Sequence, residues 1–430
     1  MAHRRWPSGL AHWGQLLRQY RNFRLLWLGQ TCSLFGDRLH QVAILVLVGS
    51  LTNANVSQIG LLFATIGLPS LLFGLPAGAL VDRWDRQRVM IVADLIRAPL
   101  VLSLPFLARV DLAWVYLVTF LLSTVSLFFR PAKDAIMPDV VPTPALHNAN
   151  AFMSTTESLL DVIGYPVAGL LVAGLTGWLV GHHGFTLAFA IDAGSYLVSA
   201  LLLRGMRLHP TRFAPPMDGV RGLRSMIWEG LAFVGQHAQV RRNTIAWCGI
   251  VLLTFGSWTL TYGTAALVSS SPGLAYAICE GALGLGAVFG GILVAQQSSR
   301  FRHEQLVILG MAIMGLASIG VVVLPSMWWL AAMLALSGVG NMLALIPSLT
   351  LIQELTPSGM LGRVVAFRRM LFQVGFIVAN LGSGWAAARY GIMPIWGVTG
   401  LSLLVFSLGL SFTPRTARTR HPRVSRAAPR

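Results

Sequence analysis

Charge is scarce in this chain. Of its 430 residues only 11% are Asp, Glu, Lys or Arg, and the mean hydropathy is +0.68. A soluble domain of this length must cover its surface with polar groups and cannot be so poor in charge. Lipid accepts an apolar surface, so the shortage points to the bilayer. Lysine is nearly absent, Lys133 being the single one, and it is followed by Asp134 with no glycine-rich loop before it. That removes the phosphate-cradling loop of an ATPase-type pump. No long soluble segment offers room for a nucleotide domain, so a gradient is the simpler energy source. Cysteine is rare as well. Cys32, Cys248 and Cys279 lie inside apolar runs, with neither ligand spacing nor an even count, which argues against a disulfide framework or a zinc site. No metal, no cofactor and no enzymatic residue is expected. The formal net charge of +17 invites a nucleic-acid reading, but that requires a basic face on a soluble fold. Here the charges sit between apolar runs, and no nucleic-acid partner is expected.

What is present is a series of long apolar runs. A helical span needs about 20 apolar residues. Six such runs precede a polar stretch and six follow it, which predicts an all-α membrane protein of twelve transmembrane helices in two six-helix halves. The runs are continuously apolar, unlike the alternating strands of a barrel. The expected organisation is an N-terminal arm (1–22), a first half (23–204), a linker (205–242), a second half (243–412) and a basic tail (413–430). The arm is polar and basic, with Trp6 and Trp13, and no short apolar core precedes the first run, so a cleaved leader is not expected. The 44 glycines suit close helix packing in lipid.

Arginine sets the expected orientation. In a serpentine of twelve spans, 28 of the 32 basic residues fall in segments on the same side as the N-terminus, whereas the opposite loops hold only Arg109 and Arg389. Such asymmetry predicts a cytoplasmic N-terminus, linker and tail. Trp114, Trp178, Trp328 and Trp329 fall near predicted span ends, as interfacial aromatics do. In the linker, Val220, Leu223, Ile227, Leu231 and Val234 recur at spacings of three and four, the stripe of an amphipathic helix. Next to a membrane such a helix is expected on the interface. The halves also echo one another at an offset of 215 residues: Pro142, Leu146, Ala151 and Phe152 match Pro357, Leu361, Ala366 and Phe367.

The most specific motif lies between the second and third spans: Gly78-Ala-Leu-Val-Asp82-Arg83-Trp84-Asp85-Arg86-Gln-Arg88. Glycine permits close helix approach, and a carboxylate at a helix end can meet a neighbouring helix N-terminus or an arginine. The motif resembles the G-x-x-x-D-R-x-G-R-R/K loop of the major facilitator superfamily, with Asp85 and Gln87 as departures. The D-R-x-D-R form is similar to the branch of the enterobactin exporters and macrolide-efflux proteins. So are Trp27-Leu-Gly-Gln30 with Gly36-Asp37, Ala93-Asp94-Leu-Ile-Arg97, Arg130-Pro131-Ala132 with Met137-Pro138-Asp139, and Gly362-Arg363-Val364. The resemblance covers nearly the whole chain. It implies the major facilitator fold, and a cytoplasmic latch at Gly78, Asp82, Arg83, Arg86 and Arg88 that holds the outward-open state. The second-half copy, near Gly291 to Arg302, lacks the aspartate, so the latch is one-sided. Drug antiporters carry G-P-x-x-G-G in the fifth span; here Gly164-Tyr165-Pro166-Val167-Ala168-Gly169 departs from it at Tyr165 and Ala168.

Ionisable groups inside spans are costly and point to function. The candidates for substrate contact or proton coupling are Asp37 in the first span, Glu157 and Asp161 on one face of the fifth, Asp192 in the sixth and Glu280 in the eighth. No Lys or Arg lies in the fifth span. Asp94 and Arg97, three apart in the third span, read as a structural ion pair, and Asp37 has Arg38 or Arg97 as an alternative partner. His182 and His183 read as outer-loop residues. The expected function is secondary transport: proton-coupled export of a lipophilic or amphipathic small molecule by a monomer in a bacterial cytoplasmic membrane. Uptake or lipid translocation on the same scaffold is the alternative.

Overall fold

A computed structural model of the chain describes residues 10–81, 83–178, 183–208, 219–297 and 300–412. Asp82 of the loop motif, residues 1–9 of the arm, 209–218 of the linker and the 413–430 tail lie outside the described residues, as does His182. Among the described residues twelve helices are long and apolar enough to cross a membrane. In the first half they are Arg21–Leu51, Val56–Gly74, Arg86–Leu107, Leu112–Val140, Thr143–Gly177 and His183–Arg204. In the second they are Ala238–Val268, Pro272–Gln297, His303–Val323, Met327–Leu355, Gly359–Tyr390 and Ile392–Ser411. These are called the first to twelfth spans below. They are helical because a backbone in lipid must satisfy its own polar groups. Tight turns join them: Asn53 and Ala54 take positive φ between the first two spans, and Gly391, at φ 91°, turns the chain between the last two.

The packing repeats at an offset of six spans. In the first half the third span packs on the fourth and sixth, and the second on the fourth; in the second half the ninth packs on the tenth and twelfth, and the eighth on the tenth. The halves meet mainly along two seams, the second span against the eleventh and the fifth against the eighth. Both seams close at the ends away from the arginine-rich loops. A Cβ added at Gly60 would lie 2.4 Å from the carbonyl oxygen of Asn380, and one at Gly281 would lie 2.7 Å from Pro166 Cγ. Backbones approach this closely only where glycine stands.

At the arginine-rich end the halves are held separately. Arg86 Nη1 donates to Asp139 Oδ2 and to the carbonyl of Ala135, both at 3.0 Å, and Gln87 donates to the carbonyls of Leu203 (2.7 Å) and Met206 (3.2 Å). All of these groups belong to the first half except Met206, at the start of the linker. Arg88 reaches Asp85 at 3.7 Å, and the Asp85 carboxylate caps the third span by accepting from the Arg88 backbone N–H at 2.9 Å. In the second half Arg242 pairs with Glu304 at 3.6 Å and donates to the carbonyl of Leu410 at 2.5 Å. Ten ion pairs among the described residues stay within one half or tie the linker to the second half.

The linker helix, Gly219–Gln236, is where the structure departs from the sequence expectation. Part of its apolar stripe is covered by protein, whereas Leu231 stays exposed. Ile227 and Val234 pack with Val240, Ile352, Val364 and Phe367 of the second half. Glu229 forms an ion pair with Arg363, and a Cβ on Gly230 would lie 2.6 Å from the Arg363 carbonyl oxygen. An apolar face next to a protein groove buries itself there, and the helix at Ala238 then starts the seventh span.

Candidate functional site

Between the halves lies a cavity of about 1050 Å³. Its first-span wall is a helical stripe: Gln30, Ser33, Leu34, Asp37, Gln41 and Ile44 recur every three or four residues and so face one way. Serines and threonine of the fourth span continue the polar surface, and Arg130, Lys133 and Asp134 stand where that span leaves the cavity at the arginine-rich end. The second half contributes mainly aromatic and apolar surface, with Trp258 and Phe372 on the wall. Behind them Phe255 stacks edge-on against Trp258 (5.8 Å), Phe372 (4.8 Å) and Phe376 (5.7 Å). Edge-to-face rings hold such a wall rigidly.

The structure brings together three of the five sequence candidates on this wall, Asp37, Glu157 and Asp161. Asp192 and Glu280 are buried in the protein behind it. The fifth span carries no Lys or Arg of its own, yet both its carboxylates are paired by neighbours. Lys133 of the fourth span donates to Glu157 Oε1 at 2.6 Å, and Arg38 of the first span meets Asp161 Oδ1 at 2.6 Å. Asp37 bonds neither Arg38 nor Arg97. Its partner is the hydroxyl of Tyr196, which donates to Oδ1 at 2.5 Å. Arg97 is ion-paired with Asp94, both almost fully buried, and its guanidinium lies 4.5 Å from the ring of Phe129 and 4.4 Å from that of Tyr196. Rings and a carboxylate together keep a charge in a dry site that would otherwise exclude it.

Asp161 sits in an irregular turn. From Leu160 to Gly164 the fifth span winds as a π-helix before resuming as an α-helix at Tyr165. Single π-turns are rare and concentrate at functional sites. The bulge turns Asp161 to Arg38, and Arg38 also lies 5.0 Å over the ring of Tyr165. Tyr165 donates to Gln41 Oε1 at 2.7 Å, and Gln41 Nε2 donates to the Tyr276 hydroxyl of the eighth span at 3.4 Å. This chain of contacts crosses from one half to the other. Glu280 is one turn further along the eighth span, beside the Gly281 that meets Pro166.

Sequence reasoning missed four of these groups: His40, Gln41, Tyr165 and Tyr196. His40 lines the cavity three residues after Asp37. It was open to discovery by the rule already applied to carboxylates, because an imidazole inside an apolar run is just as exceptional. Tyr165 was visible as the residue interrupting the Gly-Pro pair. Gln41 and Tyr196 gave no signal, since a lone polar residue in a long span reads as ordinary.

Two six-helix halves with matching packing, closed at one end around a central cavity, define a membrane carrier. The Major Facilitator Superfamily sequence model matches residues 26–380, and the chain belongs to that superfamily. It is similar to an uncharacterized MFS-type transporter, YfiS, of Bacillus subtilis (strain 168), 25% identical over 96% of this chain and 98% of that one. It is also similar to the putative bacilysin exporter BacE of Bacillus subtilis, at 27% identity over 64% of this chain and 66% of the other. A third relative is macrolide efflux protein A of Streptococcus pyogenes, 32% identical over 36% of this chain and 40% of that protein. Among solved structures, a bacterial homologue of the iron transporter ferroportin in its inward-facing state superposes with a TM-score of 0.72, at 13% identity, over 91% of this chain and 99% of that one. An inward-facing, unoccupied bacterial homologue of the lysosomal transporter Spinster gives 0.67 at 17% identity, covering 91% and 95%. The chain is therefore a transporter and not an enzyme, a multi-pass membrane protein of twelve helices.

Proposed function

We propose that this carrier exports a lipophilic or amphipathic small molecule in exchange for protons, by alternating access, as a monomer in a bacterial cytoplasmic membrane. The observation that supports this reading most is the cavity itself. Its volume of about 1050 Å³ suits a ligand of drug size or larger. One wall is polar and charged, from the first half, and the other carries Trp258 and Phe372. Such a surface, charged on one side and aromatic on the other, suits an amphipathic molecule. The arginine-rich end is placed in the cytoplasm because short basic loops are retained there. The cavity then opens inward, with the Gly60 and Gly281 seams as the closed outer gate. The efflux-type relatives favour the outward direction.

Carrier action follows from breaking one set of contacts while making another. The Tyr165–Gln41–Tyr276 chain joins the halves in the present state and must part when the outer end opens. Arg38, largely buried, and Asp161, half-exposed, are placed to bias that step. The latch role of the loop motif belongs to the outward-open state, in which the arginine-rich ends close together. Cells making the protein should hold less of a labelled amphipathic compound panel than cells without it, and an uncoupler should abolish the difference. Greater accumulation in the cells with the protein would establish uptake instead.

A further inference from the structure

We propose that His40 and Asp192 together hold the coupling proton, with His40 as the group that exchanges it with the cavity; this rests on the proton-driven export proposed above. Asp192 of the sixth span is 0% exposed, and neither of its carboxylate oxygens has a hydrogen-bond partner among the described residues. The group facing it is the His40 ring, whose Nδ1 lies 3.3 Å from Asp192 Oδ2 and is itself buried without another partner. A carboxylate removed from water with no donor and no counter-charge is unstable. The neutral imidazole with its proton on Nδ1 can donate to the carboxylate, and a further proton on Nε2 makes the ring cationic against it; that further proton is the one exchanged, and the pair titrates as a unit.

The surroundings leave Asp192 no other cation. On the first span, Asp37 accepts from Tyr196 of the sixth, and Arg38 is ion-paired with Asp161 of the fifth while lying over Tyr165. On the third span, Arg97 is ion-paired with Asp94. From the eighth span come Tyr276, bonded to Gln41, and the buried Glu280. Gly36 fixes the arrangement: a Cβ there would lie 2.5 Å from Asp192 Oδ1 and 2.1 Å from Ser195 Oγ, so the sixth span rests on the bare backbone of the first. The carboxylate is thereby pressed beside His40 and away from water.

Access separates the two partners. Asp192 is off the cavity wall, whereas the His40 side chain is 17% exposed and lies on that wall, its ring edge-on to Phe189 at 5.7 Å. With Nδ1 turned to Asp192, Nε2 is the nitrogen left to meet cavity water. A proton from that water charges the ring against the carboxylate, and the same ring returns it to whichever side the cavity next opens. Glu157 and Asp161, each already neutralised by a base at 2.6 Å, lack this property.

The test uses the purified full-length protein and the proton alone as ligand. Ring resonances of nitrogen-labelled histidine are followed through a pH titration, and His40 is identified as the resonance missing in His40→Gln. Its titration should differ in Asp192→Asn from that in the wild type, because the carboxylate is the group that faces Nδ1. An unchanged titration overturns the proposal. Should Asp192→Asn fail to fold, the carboxyl C=O infrared band decides: its titration should differ between the wild type and His40→Gln, and identical titrations overturn the proposal. Neither measurement needs a substrate. Uncoupler-insensitive compound accumulation would remove the export reading and leave these titrations standing, whereas an unmoved His40 beside uncoupler-sensitive export would remove only this site.

Discussion

The two halves share a packing scheme and differ in chemistry. The first half sets Asp37, Arg38, His40, Arg97, Lys133, Glu157 and Asp161 around the cavity, whereas the second contributes a single charged wall residue, Arg369, beside its aromatic groups. Even buried arginines differ. Arg97 has a carboxylate, Asp94, whereas Arg368 bonds Ser348 Oγ at 2.9 Å and lies 5.1 Å from the ring of Trp247, with no acid in ion-pair distance among the described residues. On the function proposed above, the two halves divide the work: the first would carry the titratable machinery, and the second would supply an apolar wall to move against it.

The sharpest contrast to break is that between the two arginines. Arg97→Ala leaves Asp94 charged and buried without its partner, which costs about 3–5 kcal/mol, so the variant should unfold at markedly lower temperature in detergent or fail to accumulate. Arg368→Ala strands no acid and should lose far less; equal losses would erase the difference between the halves.

Next in size are the seams. Gly60→Ala places a methyl against the Asn380 carbonyl in the state closed at that end, an overpacking worth about 1–3 kcal/mol in this state alone. The balance should move toward opening there. A cysteine at position 70, on the cavity wall in an otherwise cysteine-free chain, should then react more slowly with a thiol reagent supplied from the arginine-rich side.

Asp161→Asn removes the anion that faces Arg38 and weakens the bias between states. About 1.4 kcal/mol of differential contact changes their ratio tenfold, and transport of any compound exported by the wild type should fall by roughly that factor. Transport at the wild-type rate would strip the Arg38–Asp161 pair of its proposed role.

Much of the fold was legible because each of its signals is local. Twelve apolar runs and the alternation of arginine are properties of neighbouring residues, and the 215-residue echo hinted at the repeat seen in the packing. Apart from the Asp94–Arg97 pair, whose members stand three residues apart, the candidate site was legible as single residues and not as pairs. Lys133 reaches Glu157 across 24 residues, Arg38 reaches Asp161 across the bulge of another span, and Tyr196 reaches Asp37 across 159. No periodicity encodes such meetings. The aromatic wall was hidden for another reason: Phe and Trp occur in nearly every span, and only the cavity distinguishes Trp258 and Phe372. The linker stripe showed the limit of an amphipathic pattern, which tells that a face is buried but not whether lipid or protein buries it.

The smallest predicted effect belongs to that wall. Phe372→Ala removes one edge-to-face partner of Phe255, worth about 0.5–1.5 kcal/mol, and should weaken export of the larger apolar compounds by roughly two- to tenfold while leaving small ones nearly unchanged. A uniform loss across the panel would indicate a structural role only.

The division of labour itself is tested in reconstituted vesicles, with the panel compound whose export responds most strongly to an uncoupler. Accumulation driven by a pH gradient is compared with counterflow, in which labelled compound exchanges for unlabelled compound without a gradient. His40→Gln, in the first half, should abolish gradient-driven accumulation and keep counterflow. Phe372→Ala, in the second, should reduce both in the same proportion, since it acts on binding alone. Loss of both activities in His40→Gln protein that remains folded, or gradient-driven accumulation at the wild-type level, would contradict the assignment of coupling to the first half.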